Sequence, residues 1–168
     1  MQRIIIHWTA GTNNANSTDK EHYHFLVEGD GSRVKGTFPV TANEVCRTDS
    51  KGKALYSAHT GGGNTGSIGV SMCGMYVPSG IPVKQTKYPL TKVQVEAMFK
   101  LVAELCAKYK IPVSPDTVMT HYEFGKKHPK TSSAGKIDIV YLPPYPKVKN
   151  DEVGDFIRNK IRWYFNKL

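Results

Sequence analysis

Arg3-Ile-Ile-Ile-His-Trp8 is a run of β-branched apolar residues that ends in a histidine and a tryptophan. Runs of this kind are typical of a strand that is buried on both faces of a sheet. Side chains alternate between the two faces of a strand, so Ile5 and His7 are predicted to point to the same side. The sequence therefore predicts an interior strand that places a histidine near its carboxyl end.

Two further strand regions follow this run. Tyr23 to Val27 and Ser32 to Lys35 flank a glycine-containing turn, which predicts a β-hairpin. Ser67 to Met72 is small and apolar, which is typical of a strand in the middle of a sheet. Between the first run and the hairpin, Gly11 to Asp19 is rich in turn-forming residues, and we expect irregular structure there.

Two amphipathic helices are predicted in the second half of the chain. Thr91 and Gln94 form a capping-box pattern at the start of the first helix, and Pro112 marks its end. The second helix is predicted over 151–165, with acidic residues that suit its N-terminal dipole. Strands interspersed with helices predict an α/β fold with a single mixed central β-sheet flanked by helices.

Length and composition set the broad class of protein. The 168 residues predict one domain over 1–168, and 39% hydrophobic residues are ordinary for a globular chain. The three cysteines are odd in number and widely spaced, so we expect no disulfide framework. We find no integral membrane segment and no signal-peptide core, and we therefore expect synthesis in the cytoplasm without a signal peptide.

The charge balance points to an anionic partner. The formal net charge is +9, which favours a polyanion such as nucleic acid or a cell-wall polymer that carries carboxylates. The basic residues are scattered and form no recognisable DNA- or RNA-binding motif, so we expect no nucleic-acid partner. We expect the protein to be a monomer.

Histidines are the main chemical signal. Neutral imidazole is the most frequent metal ligand, and His7, His59 and His121 each lie in or beside a strand-like segment. None of them forms a local metal motif. Considered one at a time, each is better explained as a structural histidine than as a ligand.

Several ordered motifs alter this interpretation. They are Ile-Ile-Ile-His7-Trp-Thr-Ala-Gly, Tyr23-His-Phe-Leu-Val with Asp30-Gly31, Ala58-His-Thr with Asn64, Ser67-Ile-Gly-Val, Met119-Thr-His-Tyr-Glu and Gly135-Lys-Ile-Asp138. Because it carries these motifs in this order, the chain resembles the family of N-acetylmuramoyl-L-alanine amidases and peptidoglycan-recognition proteins. The resemblance implies an amidase-like mixed sheet that carries a zinc ion, with peptidoglycan as the substrate.

The resemblance also implies the zinc ligands, which here are His7, His121 and Asp138. Two histidines, one carboxylate and a water form the open three-ligand site of a catalytic zinc, whereas a structural zinc is closed by a fourth side chain. Such an ion activates water and polarises the amide carbonyl. If Asp138 is not the third ligand, Glu123 is the next candidate.

The remaining site residues also follow from the resemblance. Tyr23 and Lys136 match catalytic positions, and Lys136 would stabilise the oxyanion that develops on the carbonyl oxygen. His59 matches a histidine that lies beside the zinc and serves in catalysis or substrate contact. Thr60 and Asn64 are expected to contribute to the substrate groove. His22, His24 and His128 are interpreted as structural or exposed, although His24 could support the metal site indirectly.

One substitution bears on the biological role. Ser71 stands where cytosolic muropeptide-recycling amidases carry a glutamate, so the chain is more similar to the phage lysozyme type, which relies on tyrosine and lysine. We therefore expect an endolysin that acts on the cell wall after its release. Two alternatives remain open: a cytosolic recycling amidase, and a non-catalytic peptidoglycan-binding module. Only fifteen residues, Trp8 to His22, lie where many members have a longer insertion, which leaves one wall of the groove undefined.

Overall fold

A computed structural model describes all residues from 1 to 168. It contains a five-stranded sheet and four α-helices. Their order along the chain is β1 (Arg3–Trp8), α1 (Ser17–His22), β2 (Phe25–Val27), β3 (Arg33–Lys35), β4 (Ser67–Met72), α2 (Lys92–Tyr109), β5 (Val118–Thr120), α3 (His121–Lys127) and α4 (Val153–Phe165). Short 3-10 turns occupy Val40–Asn43, Val83–Gln85 and Asn150–Glu152.

The sheet is mixed, which confirms the predicted fold class. Its strand order is β3-β2-β4-β1-β5. β1 pairs in parallel with β4 on one side and with β5 on the other, and β2 also runs parallel to β4. Only β2 and β3 are antiparallel, as expected for the predicted hairpin. The carboxyl ends of β1, β4 and β5 therefore meet at one edge of the sheet.

β1 separates two apolar layers. Ile4 and Ile6 lie in the main core together with residues of α2 and α4. Ile5 points to the opposite face, where it packs with Met119 and Phe124 in a small cluster. His7 shares the face of Ile5 because side chains alternate along a strand, as predicted. The histidine thus lies near the end of a strand that is buried from Ile4 to Trp8.

Helices α2 and α4 cover the main core. Thr91 is the N-cap of α2 and forms a full capping box with Gln94, which confirms the predicted start of this helix. The helix ends at Tyr109, and Lys110 caps it with a left-handed backbone conformation. α4 begins two residues later than predicted, because Asp151 and Glu152 belong to a 3-10 turn. No helix has the length and apolar character needed to cross a membrane.

The expectation of irregular structure over 11–19 was wrong at its end. α1 begins at Ser17, and Asn16 and Asp19 satisfy each other's backbone N–H groups in a capping box. This helix buries no residue, so it lacks the apolar periodicity that would reveal it. A second short helix, α3, begins at His121 with a capping box between Thr120 and Glu123.

Candidate active site

The three predicted zinc ligands lie together at the carboxyl edge of the sheet. His7 is near the end of β1, His121 is the first residue of α3 directly after β5, and Asp138 lies in the following loop. All three are buried, and one candidate ligand atom from each lies within 4.8 Å of the others. The parallel pairing of β1 with β5 produces this proximity, since it brings the ends of both strands to the same place.

The hydrogen bonds of His121 define the orientation of its ring. The hydroxyl of Ser133 donates to the carbonyl oxygen of Gly61 at 2.7 Å, so its oxygen is free to accept from Nε2–H of His121 at 2.9 Å. The opposite nitrogen, Nδ1, then carries a lone pair and faces Oδ1 of Asp138 at 3.4 Å. Ser133 was not predicted from the sequence.

His7 presents the same nitrogen to the same carboxylate. Its Nδ1 lies 2.9 Å from Oδ2 of Asp138, and its Nε2 lies 3.1 Å from Nδ1 of His59. Burial lowers the pKa of His7, which favours a neutral imidazole. Burial raises the pKa of Asp138, but the adjacent rings of His121 and His7 outweigh this and hold the pKa below its usual value. The group therefore offers imidazole nitrogens and an ionised carboxylate.

This donor set fits zinc. Imidazole nitrogen and carboxylate oxygen are both zinc ligands, and three protein ligands leave a fourth position for water or substrate. The alternative ligand, Glu123, is already occupied, because its carboxylate forms a bidentate ion pair with Arg158 at 2.9 Å for both bonds. His7, His121 and Asp138 would therefore hold the metal, with both histidines coordinating through Nδ1.

A groove of about 540 Å³ lies beside these three residues and is lined by two of them. His121 and Asp138 line it together with two predicted catalytic residues, Tyr23 and Lys136. The ring of Tyr23 is half-buried and lies 5.1 Å from the ring of His7, whereas Lys136 is exposed. An apolar wall completes the groove, formed by Trp8, Ala10, Met75, Val77, Val83 and Ile137.

His59 also lines the groove, but Thr60 and Asn64 do not. Thr60 is buried, and its hydroxyl lies 2.7 Å from Nδ1 of His59. The side-chain oxygen of Asn64 accepts hydrogen bonds from the backbone N–H groups of His59 and Thr60, at 2.9 and 2.8 Å. In the structure, Thr60 and Asn64 hold in place the loop that carries His59, referred to below as the His59 loop.

A buried network of hydrogen bonds supports the loop that carries His59. The backbone N–H of Gly69 donates to Nδ1 of His24, so the Nε2–H of His24 donates to Oδ1 of Asn43. Asn43 in turn donates to the carbonyl oxygens of Ser57 and Asn64, which flank the His59 loop. Gly69 is necessary here, because a Cβ at this position would lie 2.6 Å from the ring of His59.

The other two histidines lie at the surface. His22 contacts the carbonyl oxygen of Ala58 through Nδ1, and His128 stacks on Phe124 with ring centroids 4.3 Å apart. Neither lines the groove. Among the site-supporting residues, Asn43, Ser133 and Arg158 were missed, because their partners lie far away in the sequence and no local motif marks them.

The fold and the site together define an α/β protein with a triad that could hold a metal ion at the edge of a mixed sheet. The family model described as N-acetylmuramoyl-L-alanine amidase matches residues 1–136. The chain belongs to this family. His7 and His121 lie within the matched residues, and Asp138 lies just beyond them. No curated protein sequence matches the chain.

Three solved structures are similar to this chain. The N-acetylmuramoyl-L-alanine amidase LysC from Clostridium intestinale is 17% identical over 78% of this chain and 75% of its own, with a TM-score of 0.47. The endolysin amidase LysCS from the same organism gives the same identity and TM-score over 74% of its length. A complex of the peptidoglycan recognition proteins LCa and LCx with tracheal cytotoxin is 24% identical, covering 66% of this chain and 64% of the other, with a TM-score of 0.42.

Proposed function

We propose that this protein is a zinc-dependent N-acetylmuramoyl-L-alanine amidase, which hydrolyses the amide bond between N-acetylmuramic acid and L-alanine in peptidoglycan. The observation that carries the proposal is the buried triad of His7, His121 and Asp138, of which His121 and Asp138 line an open groove. Family membership supplies the reaction, and the donor set supplies the metal. Bound zinc would supply Lewis acidity and make water nucleophilic near neutral pH.

The chain's own residues account for the remaining chemistry. Lys136 is exposed at the groove and offers an ammonium group to the scissile carbonyl oxygen as negative charge develops there. Burial raises the pKa of Tyr23, so its hydroxyl stays protonated and can donate a hydrogen bond to the reacting groups. The Asp138 carboxylate faces Nδ1 of His7 at 2.9 Å and Nδ1 of His121 at 3.4 Å, so the three groups converge on one point.

His59 is proposed to contact the substrate or to transfer a proton beside the metal. Burial lowers its pKa well below the usual value, and the neighbouring His7 adds to this. A neutral imidazole at the groove can accept a proton or a hydrogen bond. Thr60 and Asn64 are proposed to contribute indirectly, by holding His59 at the groove.

We also propose that the enzyme is a single-domain phage endolysin, which reaches the wall after release. α4 packs into the same core as β1 and α2, which supports one domain. Ser71 is buried and pairs in register with His7, so the position at which a recycling amidase has its glutamate carries no carboxylate. The net charge of +9 suits a wall polymer that carries carboxylates.

Analysis of the products tests the reaction. Digested peptidoglycan is expected to release free stem peptides with new L-alanine N-termini, while the glycan chains remain intact. Mass spectrometry identifies the peptides, and a reducing-sugar assay follows the glycan. New reducing ends, or a cut within the stem peptide, would assign the enzyme to a different bond. Digestion of intact sacculi and of small muropeptides in parallel distinguishes an endolysin from a recycling amidase.

Ser133→Ala is expected to weaken zinc binding without abolishing it. The substitution removes the acceptor that orients the ring of His121, and such outer-shell changes typically cost about 10- to 100-fold in metal affinity. Competition with a chromophoric chelator measures the affinity. Ser132→Ala is the control, because Ser132 is exposed and the hydrogen bond with His121 is formed by Ser133 instead. Equal affinity in both variants would contradict the assignment of Nδ1 as the ligand atom.

A further inference from the structure

Arg158 of α4 is a buried arginine whose guanidinium donates four hydrogen bonds. Only 3% of this residue is exposed. Its guanidinium donates to both carboxylate oxygens of Glu123 at 2.9 Å, to Asp155 at 2.8 Å and to the carbonyl oxygen of Val118 at 2.9 Å. A buried arginine requires such partners, because an unpaired buried charge is costly.

The partners of Arg158 lie on both sides of the candidate metal ligand His121. Val118 begins β5, the strand that leads into His121, and Glu123 lies in the first turn of α3. The Glu123 carboxylate also accepts a hydrogen bond from the backbone N–H of Thr120 at 3.0 Å. One arginine therefore contacts both the strand that precedes His121 and the first helical turn that follows it.

The same helical turn also positions Asp138. The backbone N–H of Tyr122 donates to the carbonyl oxygen of Asp138 at 2.6 Å. The first turn of α3 thus sets the side chain of one candidate ligand and the backbone of another. A shift of this turn would change the distance between Nδ1 of His121 and the Asp138 carboxylate, which is now 3.4 Å.

Gly154 shows how closely α4 approaches the ion pair of Arg158 and Glu123. A Cβ on Gly154 would lie 2.2 Å from Oε2 of Glu123. The Glu123 carboxylate is the end of a flexible side chain, so an added methyl group would displace it from Arg158 without blocking the packing of α4. Glycine at this position is required by the ion pair and not by the helix, since alanine has the higher helix propensity.

We propose that Arg158, through Glu123, is a positioning residue that preorganises His121 and Asp138 for the metal. This inference rests on the proposed function, since it takes these two residues as zinc ligands. In this proposal α4 helps to position the metal ligands, although it lies outside the residues that the family model matches. Outer-shell groups of this kind fix the geometry of the ligands and so raise metal affinity.

Two variants perturb this ion pair in different ways. Gly154→Ala displaces the Glu123 carboxylate and removes no charged group. Arg158→Lys keeps the charge but loses the planar fork that binds both carboxylate oxygens. Both are expected to fold and to bind zinc about 10- to 100-fold more weakly than the unmodified protein, as measured by chelator competition. In the metal-free protein, amide exchange at Tyr122 is expected to be accelerated.

The control variants separate positioning from general stability. Arg162→Lys makes the same change one turn further along α4, where the arginine is exposed and contacts neither His121 nor Glu123. Ile157→Val loosens the core contact of α4 without touching the ion pair. Both controls are expected to bind zinc normally.

The outcomes are distinguishable. Normal zinc affinity in Gly154→Ala and Arg158→Lys would overturn the positioning role, and so would an equal loss in Ile157→Val. If Arg158→Lys fails to fold, Gly154→Ala decides the question alone. An unmodified protein that binds no zinc would instead contradict the proposed function. Tyr122 exchange in the metal-free variants would then decide whether Arg158 holds the α3 turn, and an unchanged exchange rate would overturn the inference.

Discussion

Asp138→Asn is expected to lose most bound zinc and nearly all hydrolysis, and yet still to sediment with insoluble cell wall. Asp138 is the only anionic member of the triad, and its carboxylate faces Nδ1 of both His7 and His121. The substitution keeps the size of the side chain and removes its charge. Because most of the groove is lined by other residues, binding of peptidoglycan should depend on Asp138 far less than hydrolysis does.

His7→Ala and His121→Ala are expected to fail in the same way, because all three residues would share one metal. Zinc affinity should fall by more than about 100-fold in each, since the loss of even an outer-shell partner costs roughly 10- to 100-fold. Zinc content, turnover and wall sedimentation are measured side by side. Chelation of the unmodified protein should reproduce the loss of hydrolysis, and added zinc should restore it.

Matched controls come from exposed residues of the same types. His128→Ala removes a histidine that stacks on Phe124 at the surface, and Asp116→Asn removes a carboxylate that pairs with Lys127. Both should keep zinc and full turnover. An Asp138→Asn protein that retains zinc and cuts at the normal rate would refute the proposed third ligand. Loss of wall sedimentation together with hydrolysis would show that Asp138 also serves in binding.

The sequence predicted the sheet best where burial leaves a local pattern. The isoleucine run of β1 and the small residues of β4 both predict interior strands. The alternation of side chains along β1 correctly predicted that His7 lies on the face of Ile5. α2 was predicted from its capping box and its apolar face. α1 was missed because it buries no residue, so only its capping residues distinguish it from a turn.

The site could be predicted only as a set of residues. The family motifs indicated His7, His121 and Asp138, but their meeting point depends on the parallel pairing of β1 with β5, which no local pattern specifies. The residues that support the ligands could not be predicted either, because their contacts join positions that are far apart in the sequence. Arg158 lies 35 positions from Glu123, and this ion pair is the reason that Glu123 is unavailable as a ligand.

The predicted contributions of Thr60 and Asn64 illustrate the same limit. A glycine-rich loop beside a histidine suggests a groove wall, and the loop does place His59 there. Whether its other side chains face outward or inward is decided by the buried network of Asn43 and His24 beneath it. This network joins three separate segments, so it becomes visible only in the folded chain.

Tyr23→Phe and Lys136→Ala are each expected to lower turnover by on the order of 100-fold or more, while zinc content and folding stay almost unchanged. Neither residue is proposed to bind the metal, and each instead meets charge that appears during attack on the amide. Tyr23→Phe keeps the ring that packs 5.1 Å from His7 and removes only the hydroxyl. Lys136 is exposed, so its truncation leaves no cavity in the core.

Steady-state turnover and zinc content of the two variants are measured together with two controls. Lys130→Ala removes an exposed lysine that does not line the groove, and Tyr88→Phe removes a hydroxyl from a tyrosine that is likewise outside it. Both controls should retain normal turnover. A transition-state role lowers turnover at saturating substrate, whereas a role in ground-state binding raises KM and leaves turnover intact. A Lys136→Ala enzyme with normal turnover would show that Lys136 is a solvated surface residue without a catalytic role. Tyr23 would then be the main hydrogen-bond donor that the protein offers to the reacting groups.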